Sequence, residues 1–157
     1  MSVIDLISRY LHVTTAIWMA GGAVFLRLVL QPALETGADP AFDDSRAELG
    51  ESVRRRWARF VAIGTLLLLS TGLWNYLAVA APRHKGDGLY HGLMGGKMLL
   101  AFVAFFLAAA LSGRSEKLAG IRRHWRVSGA VLLTCLAVVV LIGSYLKMRG
   151  TVTLLAP

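Results

Sequence analysis

The stretch "LISRYLHVTTAIWMAGGAVFLRLVL", residues 6–30, decides the fold. It is almost continuously apolar over more than the roughly 20 residues that carry a helix across a hydrocarbon layer. It shows no alternation of period two, so it reads as a membrane helix and not as a barrel strand. Asp5 and Arg9 make a poor leader region and no small-residue cleavage site follows, so the run is expected to be retained.

Three further runs of the same character cover residues 60–81, 89–111 and 127–146. With 56% hydrophobic and 17% charged residues and a mean hydropathy of +0.61, the chain is too apolar for a water-soluble domain of 157 residues. The expected fold is all-α and integral to a membrane. Residues 1–157 form one four-helix bundle, with helices at about 4–31, 56–81, 89–112 and 125–148.

The cations set the orientation. Arg46, Arg54, Arg55, Arg56 and Arg59 follow the first run, and Arg114, Lys117, Arg122, Arg123 and Arg126 follow the third. The other side holds Arg9, Arg83, Lys85, Lys147 and Arg149. Ten against five puts the first group inside and both termini outside. In a bacterium this is a multi-pass protein of the inner membrane with its termini on the periplasmic side. The formal charge of +8 therefore belongs to topology and anionic lipid, and carries no nucleic-acid signal. The first connection, residues 35–57, reads as a surface loop with a short amphipathic helix leading into the second span. Cys135 is the only cysteine, which excludes an internal disulfide and a CxxC site; it reads as a small core residue. Asp43 and Asp44 stand in a loop without a second catalytic element, and no hydrolytic triad or phosphate loop is present, so soluble-type catalysis is not expected.

Chemistry is expected where ionisable and soft side chains enter the spans. His12 lies about one turn below the outer interface, and His91 enters the third helix at a similar level. His91, Met94 and Met98 fall at i, i+3 and i+7, on one helix stripe, and Met19 lies at i+7 from His12. Imidazole with thioethers suits Cu(I), whereas two imidazoles from two helices suit haem iron. Each methionine also has a plain reading as packing, and a membrane histidine can simply bond a neighbouring helix. Lys97 sits about 120° from the stripe, free to snorkel outward or to offer a cation to a carboxylate between the helices. Thr71 and Asn75, at i and i+4 on the second helix, give a polar strip at matching depth. His84, between Arg83 and Lys85, reads as a solvated loop residue, and His124 among arginines as a headgroup contact. Gly21, Gly22, Gly72, Gly95 and Gly96 allow close helix approach or room for a flat cofactor.

"LHVTTAIWMAGGAVFLRLVLQPAL" (residues 11–34), "RWARFVAIGTLLLLSTGLWNYL" (56–77) and "GLYHGLMGGKMLLAFVAFFLAAAL" (88–111) together resemble the membrane domain of the copper resistance protein D family. The resemblance rests on LH followed by W-x-x-G-G in the first helix, T-G-L-x-N closing the second, and a lysine early in the third. It covers the first three helices, and the fourth by hydropathy alone. It implies copper uptake or resistance at the inner membrane beside a periplasmic copper carrier. The chain is also similar in length to the bacterial membrane protoporphyrinogen oxidases. That similarity implies a haem at the first-helix histidine, here His12, and a matching lysine at Lys97.

The leading expectation is a copper-handling protein with a metal site near the periplasmic face between helices 1 and 3. His12, His91, Met94 and Met98 are its ligands, and Asn75 or Thr71 orients an imidazole. The alternative is a b-type haem protein with His12 and His91 as axial ligands, and Lys97 or Arg83 on the propionates. A third reading is a cofactor-free subunit of a larger membrane complex. An oligomer or a second subunit would complete any path for transport.

Overall fold

A computed structural model describes residues 2–35 and 43–155, with side chains to residue 149. Residues 36–42 of the first connection lie outside the described residues. Helix α1 runs over Val3–Glu35 and contains a π-helical turn at Leu26–Leu30; α2 covers Asp43–Arg83 with a second π-helical turn at Asn75–Ala80. Helix α3 is Gly88–Ser112, a short α4 is Ala119–Arg123, and α5 is Trp125–Leu155. No strand occurs among the described residues. The second helix begins well before its apolar run. Arg46–Asp43, Arg54–Glu51 and Arg55–Glu51 pairs at i,i+3 and i,i+4 hold its polar first turns helical, so the expected loop with a short helix is continuous helix from Asp43.

Four of these helices are long and apolar enough to cross a membrane, which makes the chain a multi-pass membrane protein. Their outward faces say the same. Trp18, Ile63, Leu66, Phe106, Val140 and Leu141 are all more than half exposed, an arrangement that suits hydrocarbon and not water. Helix α1 packs on α2, α2 on α3, α3 on α5, and α5 returns to α1, so the four helices form a closed ring. Met19, Val61, Leu68, Ala104, Ala108, Leu132 and Cys135 make the apolar core inside it.

The helix starts at one end of the bundle are pinned by carboxylates. Ser2 and Asp5 form a reciprocal capping box: the Ser2 hydroxyl accepts from the Asp5 N–H at 3.2 Å and the Ser2 N–H donates to Asp5 Oδ2 at 2.8 Å. The second Asp5 oxygen accepts from Trp74 Nε1 at 3.4 Å, linking α1 to α2. Gly86, at φ +84°, turns the chain in the left-handed region that glycine tolerates, and Asp87 then caps α3. Its carboxylate accepts from the Tyr90 N–H at 3.0 Å and pairs with Arg149 of α5 at 2.9 Å. The Tyr90 N–H, and after it the Arg149 guanidinium, hold the Asp87 carboxyl below the usual carboxylate range. A folded-state value below the unfolded one stabilises the fold fully above about pH 4 and loses that contribution as pH falls through the folded value. Asp87→Asn is therefore expected to lower the thermal midpoint in mild detergent at neutral pH, with the gap to wild type closing in acid; melting curves across the pH range check both parts.

Candidate functional site

Between the four long helices lies a cavity of about 800 Å³, within the range of about 300–1,000 Å³ that accommodates cofactor-sized ligands. Its walls are mainly apolar, and its polar groups are few.

His12 is the best-defined of them. Its ring packs across Gly72 of α2: a Cβ there would stand 3.0 Å from His12 Cε1 and push the ring by a few tenths of an ångström. His12 Nδ1 lies 3.0 Å from Thr71 Oγ1, and the Thr71 hydroxyl donates to the Leu67 carbonyl at 2.6 Å. With its proton on Leu67 the Thr71 hydroxyl is placed to accept from Nδ1–H, and the Leu68 carbonyl also lies within hydrogen-bonding reach of the ring. A neutral imidazole with its other nitrogen anchored is the state in which histidine binds a metal. Ser8, one turn earlier on α1, donates to the Thr71 carbonyl at 3.4 Å and strengthens the same seam.

Lys97 lines the same cavity, with its Nζ reaching α5, 3.1 Å from where a Gly143 Cβ would be. It lies within electrostatic reach of His12. It makes no ion pair among the described residues. Asn75, Met94, Met98 and Met19 also line the cavity. Met19 is buried, its thioether filling the notch left by Gly64.

His91 stands apart. Its Nε2 donates to the His84 carbonyl at 3.0 Å, and its Nδ1 accepts from the Tyr76 hydroxyl at 2.9 Å. Both ring nitrogens are occupied within the protein, and His91 is not among the residues lining the cavity. His12 and His91 are thus not brought to one site. The inward stripe of α3 is Tyr90, Met94, Lys97, Met98, Ala101 and Phe105, a helical row that starts one residue before His91 and takes in Lys97.

Three lining residues went unread or misread in the sequence. His84, expected as a solvated loop residue, is half-buried and lines the cavity; it stacks flat on Tyr90 at 3.6 Å between ring centroids and donates from Nδ1 to the Ala80 carbonyl at 2.9 Å. Tyr90 is buried beneath it. Arg27 lines the far end of the cavity, packed over Gly129 of α5. An arginine inside an apolar run is a legible signal, since ionisable residues in a span are costly.

Among the described residues no group of three or more histidine, cysteine, aspartate or glutamate side chains could hold a metal ion. The chain matches no family model, no curated protein and no solved structure.

The anchoring of His12 predicts a measurable coupling. Thr71→Val removes the acceptor of Nδ1–H and is expected to cost about 0.6 kcal/mol, and at most about 1.7, the span measured for hydrogen bonds between membrane helices. The same change in a His12→Ala background should cost close to nothing more; unfolding titrations of the four proteins of this cycle in mixed micelles give the coupling.

Proposed function

We propose that the cavity holds a b-type haem, which His12 would hold through a ring nitrogen. Haem supplies one-electron chemistry, which suits electron transfer or a porphyrin-linked oxidation. The observation that carries the reading is the state of His12: an imidazole fixed by Thr71, packed on a glycine, and facing a large, mainly apolar space. The charges around that space fit the same ligand. Arg9, Arg83 and Lys97 line its His12 end against one carboxylate, Asp5, which favours a ligand that brings anionic groups of its own. Lys97 and Arg83 are the residues placed to meet propionates. A free metal cation would enter against those charges. In a bacterial inner membrane the Lys and Arg distribution would put both termini and the His12 end on the periplasmic side.

One observation favours a second reading, copper handling: the thioethers of Met19, Met94 and Met98 line the same cavity as His12 and form a soft donor set with it. His91 joins this set only by giving up its bonds to Tyr76 and the His84 carbonyl.

Absorption spectra of the full chain in mild detergent, oxidised and dithionite-reduced, with metal analysis of the same sample, separate the readings. The expected result is a Soret band with sharp reduced α and β bands, lost in His12→Ala. Thr71→Val, which removes an anchoring partner, is expected to weaken haem affinity about 10–100-fold, whereas His91→Ala keeps the band. A colourless protein carrying copper in proportion to chain, depleted by His12→Ala and Met94→Leu, would establish the copper reading in its place. A protein with neither cofactor, unchanged by His12→Ala, would be a structural subunit.

A further inference from the structure

The far end of the cavity from His12 has a charge problem of its own. Arg27 is 15 residues along α1 from His12, about 22 Å at helical rise. It sits in the π-helical turn Leu26–Leu30. Such turns are frequently placed at functional positions, where the extra residue re-aims a side chain. Here the side chain aimed into the bundle is a guanidinium. Its Nη2 donates to the Arg126 carbonyl at 3.0 Å, its Cζ lies 4.6 Å from the centre of the Trp125 ring, and its Nε is buried without a hydrogen-bond partner.

The neighbouring charges leave it uncompensated. Arg126 shares the Trp125 indole, with its Cζ at 5.5 Å, but pairs with Glu35 at 2.9 Å. Arg54 lines the same end of the cavity and pairs with Glu51. Arg27 enters no ion pair among the described residues. Two of the three guanidiniums thus have a carboxylate and the third has an indole face, a carbonyl and an idle N–H. A cation at the edge of a membrane span with no carboxylate beside it is stabilised by an anion from outside the chain.

We infer that the Arg27 end of the cavity is an anion site that takes the phosphate group of an anionic molecule at the membrane surface. Trp125 is the kind of residue that marks the headgroup level of a bilayer, and Gln31, one turn beyond Arg27, also lines the cavity. A guanidinium suits phosphate oxygens by geometry as well as charge. The phosphate can belong to a lipid headgroup or be free in solution. The site is independent of the cofactor proposed at His12.

The test is native mass spectrometry of the full chain, released from micelles doped with equal amounts of phosphatidylglycerol and phosphatidylcholine. The expected result is preferential retention of phosphatidylglycerol by about fivefold, the worth of one basic residue at an anionic surface. The preference should persist in Arg27→Lys and fall about fivefold in Arg27→Gln. If millimolar inorganic phosphate leaves the retained lipid in place, the headgroup is the source; if it displaces the lipid, the site takes free phosphate as well. Equal retention of both lipids by the wild-type chain would overturn the inference, and needs no variant to fold. A preference undiminished in Arg27→Gln would overturn it too.

Discussion

Each ionisable side chain that reaches into this bundle from His12, Arg27 and Lys97 does so across a glycine of a neighbouring helix. His12 lies on Gly72, Arg27 on Gly129 and Lys97 against Gly143. The reason is spatial. Membrane helices that pack closely leave little room for a branched or long side chain, and a missing Cβ is the smallest change that opens a place for one. Two apolar pairs obey the same rule, Met19 on Gly64 and Trp57 on Gly22. The glycines therefore decide at once how near the helices come and which side chains point inward. The inserted side chains line the cavity that lies between the helices.

The electrostatics of the cavity arise from the same placements. Among its lining residues the acids are represented by Asp5 alone, at the mouth, where its carboxylate is already engaged by Ser2 and Trp74. Arginines and one lysine are spread from that mouth to the opposite end. Paired guanidiniums such as Arg54 brace the ends of the helices; it donates to the Gly113 carbonyl at 2.9 Å as well as to Glu51. Lys97 and Arg27 are different, because neither has a carboxylate among the described residues. Low polarity makes such cations expensive and makes any anion that enters correspondingly well bound. An apolar space with a cation near each end is matched to ligands that are themselves apolar with anionic edges.

How much of this could be read from the sequence depends on what fixes each feature. The spans were legible because hydropathy and length alone set them, and His12 was legible because an imidazole in such a span needs a reason. The Thr71 partner was legible from its depth. The pairing of His12 with His91 was not, since depth places two residues at one level without saying which way each ring turns. Tyr76 and the His84 carbonyl, from the end of α2 and the turn after it, claim both nitrogens of His91. Helical phase carried outward from His91 then set Lys97 apart from the stripe, whereas the structure starts the stripe at Tyr90 and includes it. The two π-helical turns were beyond reach, because they break the 3.6-residue period on which such phasing rests.

Those two turns also explain why the ends of the cavity differ from its middle. Each inserts an extra residue near the end of a span and so rotates the last part of the helix relative to the apolar face before it. In α1 the rotated segment presents Leu26, Arg27 and Leu30 to the cavity; in α2 it presents Asn75, Tyr76, Val79 and Ala80. Regular helix supplies the dry middle, through Ala16, Met19, Leu68, Ala104 and Leu132. With one irregular turn at each end, on adjacent helices, polar side chains are introduced just where the bilayer gives way to its headgroups and where the cost of desolvating them is smallest. The π-helical turns add Arg27 at one mouth and Asn75 and Tyr76 at the other to the polar side chains that regular helix already supplies, His12 and Lys97 at one end and Arg54 at the other.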